Sequence, residues 1–171
     1  MFENWKQLIP EDFAPASRVW IYQASRLFTL GEALQIEPIL QEFIETWNSH
    51  GEPVKGYANL LFGQFVVIIA DESQAGVSGC STDSSVRVIK EIEKRFHVPM
   101  FDRTMLAFAV KGKVQMVPVN QLKYAAENGF IQPGTIYFNN TVLNKAALLQ
   151  EWLIPVRDSW LAAKIKWPVA S

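Results

Sequence analysis

Apolar positions return every second residue in some stretches of this chain and at helical spacing in others, and the alternation sketches its elements. Residues 17–24, "SRVWIYQA", are dense in β-branched and aromatic side chains and predict a strand. Over 29–47, "TLGEALQIEPILQEFIETW", Ile39, Leu40, Phe43, Ile44 and Trp47 recur at helical spacing, and Thr29 with Glu32 matches a capping box. Pro38 either stands near the start of the regular helix or kinks it. Gly51, in "SHGEP", is expected to stop that helix in a left-handed conformation. Two strand-like runs then meet near Gly63 and predict a hairpin. A second helix is expected from about residue 83 to 96. Val88, Ile89, Ile92 and Phe96 form its apolar stripe, while Arg87, Lys90, Glu91 and Lys94 face water.

Further on, "TMLAFAV" and "VQMVPV" flank "KGK" as a second hairpin, and "NQLKYAAENG" reads as a short helix stopped at Gly129. "QPG" turns the chain into a strand, "TIYFNN", and Asn144 can cap a helix over 145–154 that ends at Pro155. Through residue 110 the order is βαββαβ, an α+β pattern of ferredoxin-like type. Its central strands, "VWIYQA" and "FVVIIA", are apolar at almost every position and need cover on both faces. The two helices supply one cover. Residues 111–171, with Trp152, Trp160 and Trp167, are expected to supply the other or a homodimer contact. The chain thus reads as a single domain over 1–171, a 17–110 core with a 111–171 extension.

Composition narrows the function classes. With 171 residues, 49% of them hydrophobic, the chain can bury a core of its own, and a net charge of −1 argues against nucleic acid as partner. The one cysteine cannot form an internal disulfide, and the acidic start lacks the basic flank of a signal peptide, so a soluble, cytoplasmic protein is expected. The longest strictly apolar run, 65–70, is far too short to span a membrane. Neither G-x-x-x-x-G-K-[ST] nor G-x-G-x-x-G occurs, which tells against ABC-type ATPase activity and dinucleotide binding. No spacing supports a metal, and nothing identifies a cofactor.

Candidate chemistry gathers in "GVSGCSTDSSVRVIKEIEKRF", residues 76–96. A helix start offers unpaired N–H groups and a partial positive charge, favouring a thiolate or a bound anion. Cys80 is the candidate nucleophile, His50 the candidate base and Asp83 the carboxylate that orients it. Ser78, Gly79, Ser81, Ser84 and Ser85 are candidate ligand-binding residues, through hydroxyl donors and close backbone approach. In the expected topology, the connections carrying His50 and residues 78–83 lie at one end of the sheet, together with "KGK". His97, Asp102 and Arg103 fall at the other end. A plainer account also fits: the small polar residues cap a helix and Cys80 is a buried apolar side chain. Two functions follow, a small-molecule or anion-binding domain whose reactive version uses the thiol, or a non-enzymatic interaction or scaffold domain.

The segments "FIETWNSHGEPV", "FVVIIADESQAGVSGCSTDSSVRVIKEIE", "FDR" and "TIYFNNTV" resemble an uncharacterised family of small bacterial proteins, over most of the chain. Its distinctive elements are W-x-x-H-G and S-G-C-S-x-D, matched by Trp47, His50, Gly51, Ser78, Gly79, Cys80, Ser81 and Asp83. Members commonly carry the label "ABC transporter ATPase". The resemblance implies no established activity. This chain has "SWLAAKIK" where relatives tend to place a histidine after Ser-Trp.

Overall fold

The structure, a computed structural model, describes residues 2–73 and 79–167, with 79–81 described as backbone alone. It is a mixed α+β chain that divides into two compact units, residues 3–102 with 142–149, and residues 103–141 and 150–167 with Phe2.

The first unit runs β1 (Arg18–Gln23), α1 (Leu30–Thr46), the short strands β2 (Asn48–Ser49) and β3 (Glu52–Pro53), β4 (Lys55–Leu61), β5 (Phe65–Asp71) and α2 (Gly79–Phe96). Its sheet is antiparallel in the order β1-β5-β4. The start of α1 is the expected capping box: Glu32 N–H donates to Thr29 Oγ1 at 3.1 Å, and Thr29 N–H to Glu32 Oε1 at 2.9 Å. Arg26 adds two hydrogen bonds to the same carboxylate and, with the Thr29 N–H, holds its pKa down to about 2. The helix runs through Pro38. Pro38 and Leu34 are both exposed, so the Leu34 carbonyl that Pro38 leaves unpaired can reach water.

Gly51 does not stop this helix. The helix ends at Thr46 and Trp47 is already extended; His50 (φ 53°) and Gly51 (φ 84°) are the two residues of a tight hairpin turn between Ser49 and Glu52. Positive φ at both positions is what a type I′ turn requires, and glycine meets the second without steric cost.

β5 is buried at every position. One face, Val66, Ile68 and Ala70, packs with Ile36, Leu40 and Trp47 of the α1 side and Val88, Ile89 and Ile92 of α2. Phe65, Val67 and Ile69 on the other face are equally inaccessible to water. The N-terminal segment and residues 142–149 belong to this unit and are tied to it by polar contacts. Ala14 N–H donates to Asp71 Oδ2 at 3.0 Å. The buried Lys145 ammonium donates to the carbonyls of Pro10 (2.6 Å) and Phe13 (2.7 Å). Trp5, Ile9 and Phe13, four residues apart, are all buried.

A ferredoxin-like sheet needs a fourth strand beside β1, and that strand is elsewhere. β6 (Met105–Val110) is paired on both edges, with β7 (Lys113–Pro118) and with β8 (Ile136–Phe138), in a second sheet of order β7-β6-β8-β9, where β9 is Leu153–Pro155. A strand has two edges, and both are taken. The outer edge of β1 instead meets residues 143–144, through the Arg18–Asn144 bridge and the Val19 N–H to Leu143 O bond of 3.0 Å. The division between units therefore falls at residue 102, not 110, and of the proposed covering segment only 142–149 belongs to the first unit.

In the second unit, Lys111 (φ 51°) and Gly112 (φ 74°) form the expected tight turn of the β6–β7 hairpin. The short helix α3 (Leu122–Glu127) follows, and Gly129 is left-handed as expected. Asn144, in the part of the chain that belongs to the first unit, caps α4 (Lys145–Glu151) through the Ala147 N–H at 2.8 Å. That helix ends at Glu151 rather than at Pro155, because Leu153–Pro155 pairs with the open edge of β8. Leu106, Phe108, Ala125, Ile131, Tyr137 and Leu161 belong to the core of this unit, and Trp152 is buried against Phe138. Burial pushes the Tyr137 hydroxyl up to about 12.

Gly56 of β4 lies under the Trp47 ring, and a Cβ added there would stand 2.5 Å from Trp47 Cε3. The ring is itself held by Phe43 (centroids 4.7 Å apart) and Trp20 (6.0 Å), so it has little room to yield. Gly56→Ala is expected to destabilise the protein by about 1–3 kcal/mol, as overpacking does. Urea unfolding checks this by a lowered midpoint at unchanged slope.

Candidate functional site

Strand register defines the end of the sheet at which the candidate residues lie. Arg18 opens β1 opposite Ala70, and Lys55 opens β4 opposite Asp71, so the starts of β1 and β4 and the end of β5 share one end. The hairpin carrying His50 leads into β4 there, and the chain leaves β5 towards α2 there. His97 follows α2 at the opposite end, where Ser25 N–H donates to Pro99 O at 2.9 Å. Lys111 and Gly112 belong to the second unit's hairpin, and β6 is not a strand of this sheet.

α2 begins at Gly79, earlier than the polar run suggests. Cys80, Ser81, Thr82 and Asp83 therefore build the first helical turn instead of preceding it. The side chains of Cys80 and Ser81, and all of Ser78, lie outside the described residues, and with them the distance between thiol and imidazole. His50 and Asp83 are exposed. Ser85, expected as a ligand-binding residue, is fully buried: its hydroxyl donates to Thr82 O at 2.8 Å and shares a 2.9 Å hydrogen bond with Tyr22 Oη. It lies one turn before Ile89 on the buried side of α2, whereas Ser84, one turn before Val88, is only half-buried.

Ser84 lines a groove of about 440 Å³ between the second half of α1 and the first half of α2. Glu42, Trp47, Asn48, Arg87 and Glu91 share that lining; His50 and Asp83 do not. The six-membered edge of the Trp47 ring lies against Gly56, and its Nε1–H on the far edge is buried with no acceptor among the described residues. An indole N–H left so is costly, because it has lost water and gained nothing. The Arg87 side chain is exposed and has no ion pair or hydrogen bond among the described residues. Trp47, Asn48 and Arg87 were not singled out by chemistry in the sequence. The Trp47–His50–Gly51 element was the available signal, and it marks the turn that brings Asn48 to α2.

Charges at the sheet end are largely engaged. Arg18 stacks on the Trp20 ring at 4.9 Å, sits 3.6 Å from Glu72 Oε1, and donates to Thr82 Oγ1 in the first turn of α2 at 3.4 Å. Lys55 donates to Asp12 O and lies 3.8 Å from Asp71 Oδ2. Asp71 accepts the Ser73 N–H at 2.9 Å and the Ala14 N–H; these bonds, the Ser73 one foremost, hold its carboxyl below the ordinary carboxylate value against the opposing effect of burial. Among the described residues no helix is long and apolar enough to cross a membrane. Comparison with protein families, curated proteins and solved structures finds no match.

A depressed carboxyl contributes stability above its unfolded pKa, near pH 4, and loses it as the pH falls through the lower folded value. Asp71→Asn is therefore expected to lower the melting temperature at pH 7, with the gap to the native chain closing as the pH is taken towards 2. Thermal melts of both proteins across that range measure it; a gap independent of pH would contradict the role given to the charge.

Proposed function

We propose that this chain is a binding domain for a small polar molecule, seated between α1 and α2 at the sheet end where α2 begins. One observation carries the reading: Arg87, a guanidinium unengaged among the described residues, lines one groove with Ser84, Asn48 and Trp47, whose buried indole N–H has no acceptor among the described residues. Unsatisfied donors beside a concave surface are what an acceptor-bearing ligand completes. Glu42 and Glu91 stand against a single arginine in the lining, so a ligand carrying both signs, such as an amino-acid-like zwitterion, suits it better than a bare anion.

The reactive version of the same reading adds Cys80. Its place in the first turn of α2, with Arg18 bonded to Thr82 of that turn, supplies the two influences that lower a thiol pKa, helix N–H groups and a nearby cation. His50 would then serve as base and Asp83 would orient it. A reducing, cytoplasmic setting suits a lone thiol. The alternative, an interaction or scaffold domain, draws support from Leu30 and Leu34, one turn apart on α1 and 77% and 61% exposed, and from Leu27 ahead of the helix, 54% exposed.

Two measurements decide between these readings. In the first, amino acids and small phosphate esters are titrated while the indole N–H resonances are followed, with Trp47 assigned by the signal lost in Trp47→Phe. A saturable shift of that resonance, abolished by Arg87→Ala, is the expected result; a set of such ligands that leaves it unmoved overturns the groove. In the second, alkylation of Cys80 is followed against pH. The reactive version expects half-maximal rate below about pH 7.5. Titration near the ordinary thiol value of about 8.5, or no labelling at all, removes the chemistry while leaving the binding reading to the first test.

A further inference from the structure

The second unit has a cleft of its own, separate from the groove between α1 and α2. About 710 Å³ in volume, it runs between the β6–β7 hairpin and α3 with the turn that follows. Phe108, Ala125 and Ile131 line it and are buried, so they form its closed base, and Val110 and Val117 extend the apolar wall. Tyr124 and Phe130 line it too, yet are 63% and 66% exposed. Large aromatic side chains held open over an apolar floor retain contact area that the fold itself does not use.

The charge of the cleft has one sign. Lys111 is the only charged residue of its lining among the described residues. Lys113 is the cross-strand partner of Val110 and so projects from the same sheet face, at the same end. Neither ammonium has an ion-pair partner among the described residues. Gln115, Gln121 and Asn128 add neutral polar groups to the apolar walls. Volume, wall and charge together are those of a small-molecule site with one anionic end to satisfy.

The geometry points to a second binding site, for a small amphipathic anion: an apolar body against Phe108, Ala125 and Ile131, and a carboxylate or sulfonate head at Lys111 and Lys113. An added peptide strand fits less well. β7 is an edge strand, but Lys113 and Pro118 bracket it, a charge and a missing N–H at its two ends.

The test uses the full chain and two fluorescent probes of similar body, 8-anilinonaphthalene-1-sulfonate and the uncharged N-phenyl-1-naphthylamine. Lys111→Asn is a mild change for the fold, since Asn-Gly is the preferred pair for the turn that Lys111 and Gly112 occupy. Combined with Lys113→Gln it is expected to weaken the sulfonate about fivefold, the scale of a part-exposed ion pair, while the neutral probe changes by less than about twofold. Phe130→Ser is expected to weaken both probes, and dodecanoate to displace both. Circular dichroism of each variant controls for folding. Sulfonate binding unaffected by the double substitution, or both probes weakened equally by it, overturns the proposal. So does lysine-dependent capture of the chain by phosphatidylglycerol vesicles without displacement of either probe, which would make the same residues a membrane-facing surface.

Discussion

A strand buried on both faces sets the terms for the first unit. Seven consecutive residues of β5 are withdrawn from water, yet a sheet with two helices on one side covers only half of such a strand. Backbone pairing with β1 and β4 satisfies the polar groups of β5, and α1 with α2 covers Val66, Ile68 and Ala70. Phe65, Val67 and Ile69 impose a second demand, and each such side chain is worth about 1.5–3 kcal/mol when fully buried. The segments recruited to this unit from outside the βαββα run, 3–17 and 142–149, are attached at points where β5 or β1 ends. Asp71 takes the Ala14 N–H, Asn144 bridges Arg18, and Lys145 reaches three carbonyls of residues 10–13.

Those attachments also shape the candidate site. Asp71, Lys55 and Arg18 carry charge at this sheet end, and each is engaged in holding the chain. Asp71 and Lys55 fasten the N-terminal segment, and Arg18 ties Glu72 to the first turn of α2. The Arg87 guanidinium, unengaged among the described residues, lies further along α2, in the groove between α1 and α2. The close approach of Trp47 to Gly56 matters here too, because a ring set with its six-membered edge against the sheet carries its N–H on the edge away from it. The same contact leaves that donor unpaired, and Arg87 with Ser84 stands across the groove.

The second unit is organised by the same rule applied to different edges. β6 is central because the β6–β7 hairpin closes through a two-residue turn and β8 arrives on its other side. With both edges paired, β6 is unavailable to the first sheet, and the helical pattern of 145–154 is cut short so that Leu153–Pro155 can extend the second one. Trp152 then follows α4 directly, its Nε1–H donating to Asn140 at 2.9 Å, while Trp160 meets Tyr137 and Trp167 packs on the second unit's core.

Local chemistry determined much of this from the residues alone. Thr29 with Glu32, Asn144 ahead of α4, Lys111-Gly112 and Gly129 each act within a few residues, so capping and turn preferences sufficed to locate them. The stripe of α2 was legible for the same reason, as was the mixed α+β character. Misread features depend on partners distant in the chain. His-Gly at 50–51 has the form of a helix stop and of a hairpin turn, and only pairing of Asn48–Ser49 with Glu52–Pro53 decides. Ser84 and Ser85 are chemically identical, and only the face each takes on α2 separates a groove residue from a core one. The fate of β6 was undecidable locally, because edge pairing is a competition among strands and its outcome is set by the whole set of edges available, not by the six residues of any one of them.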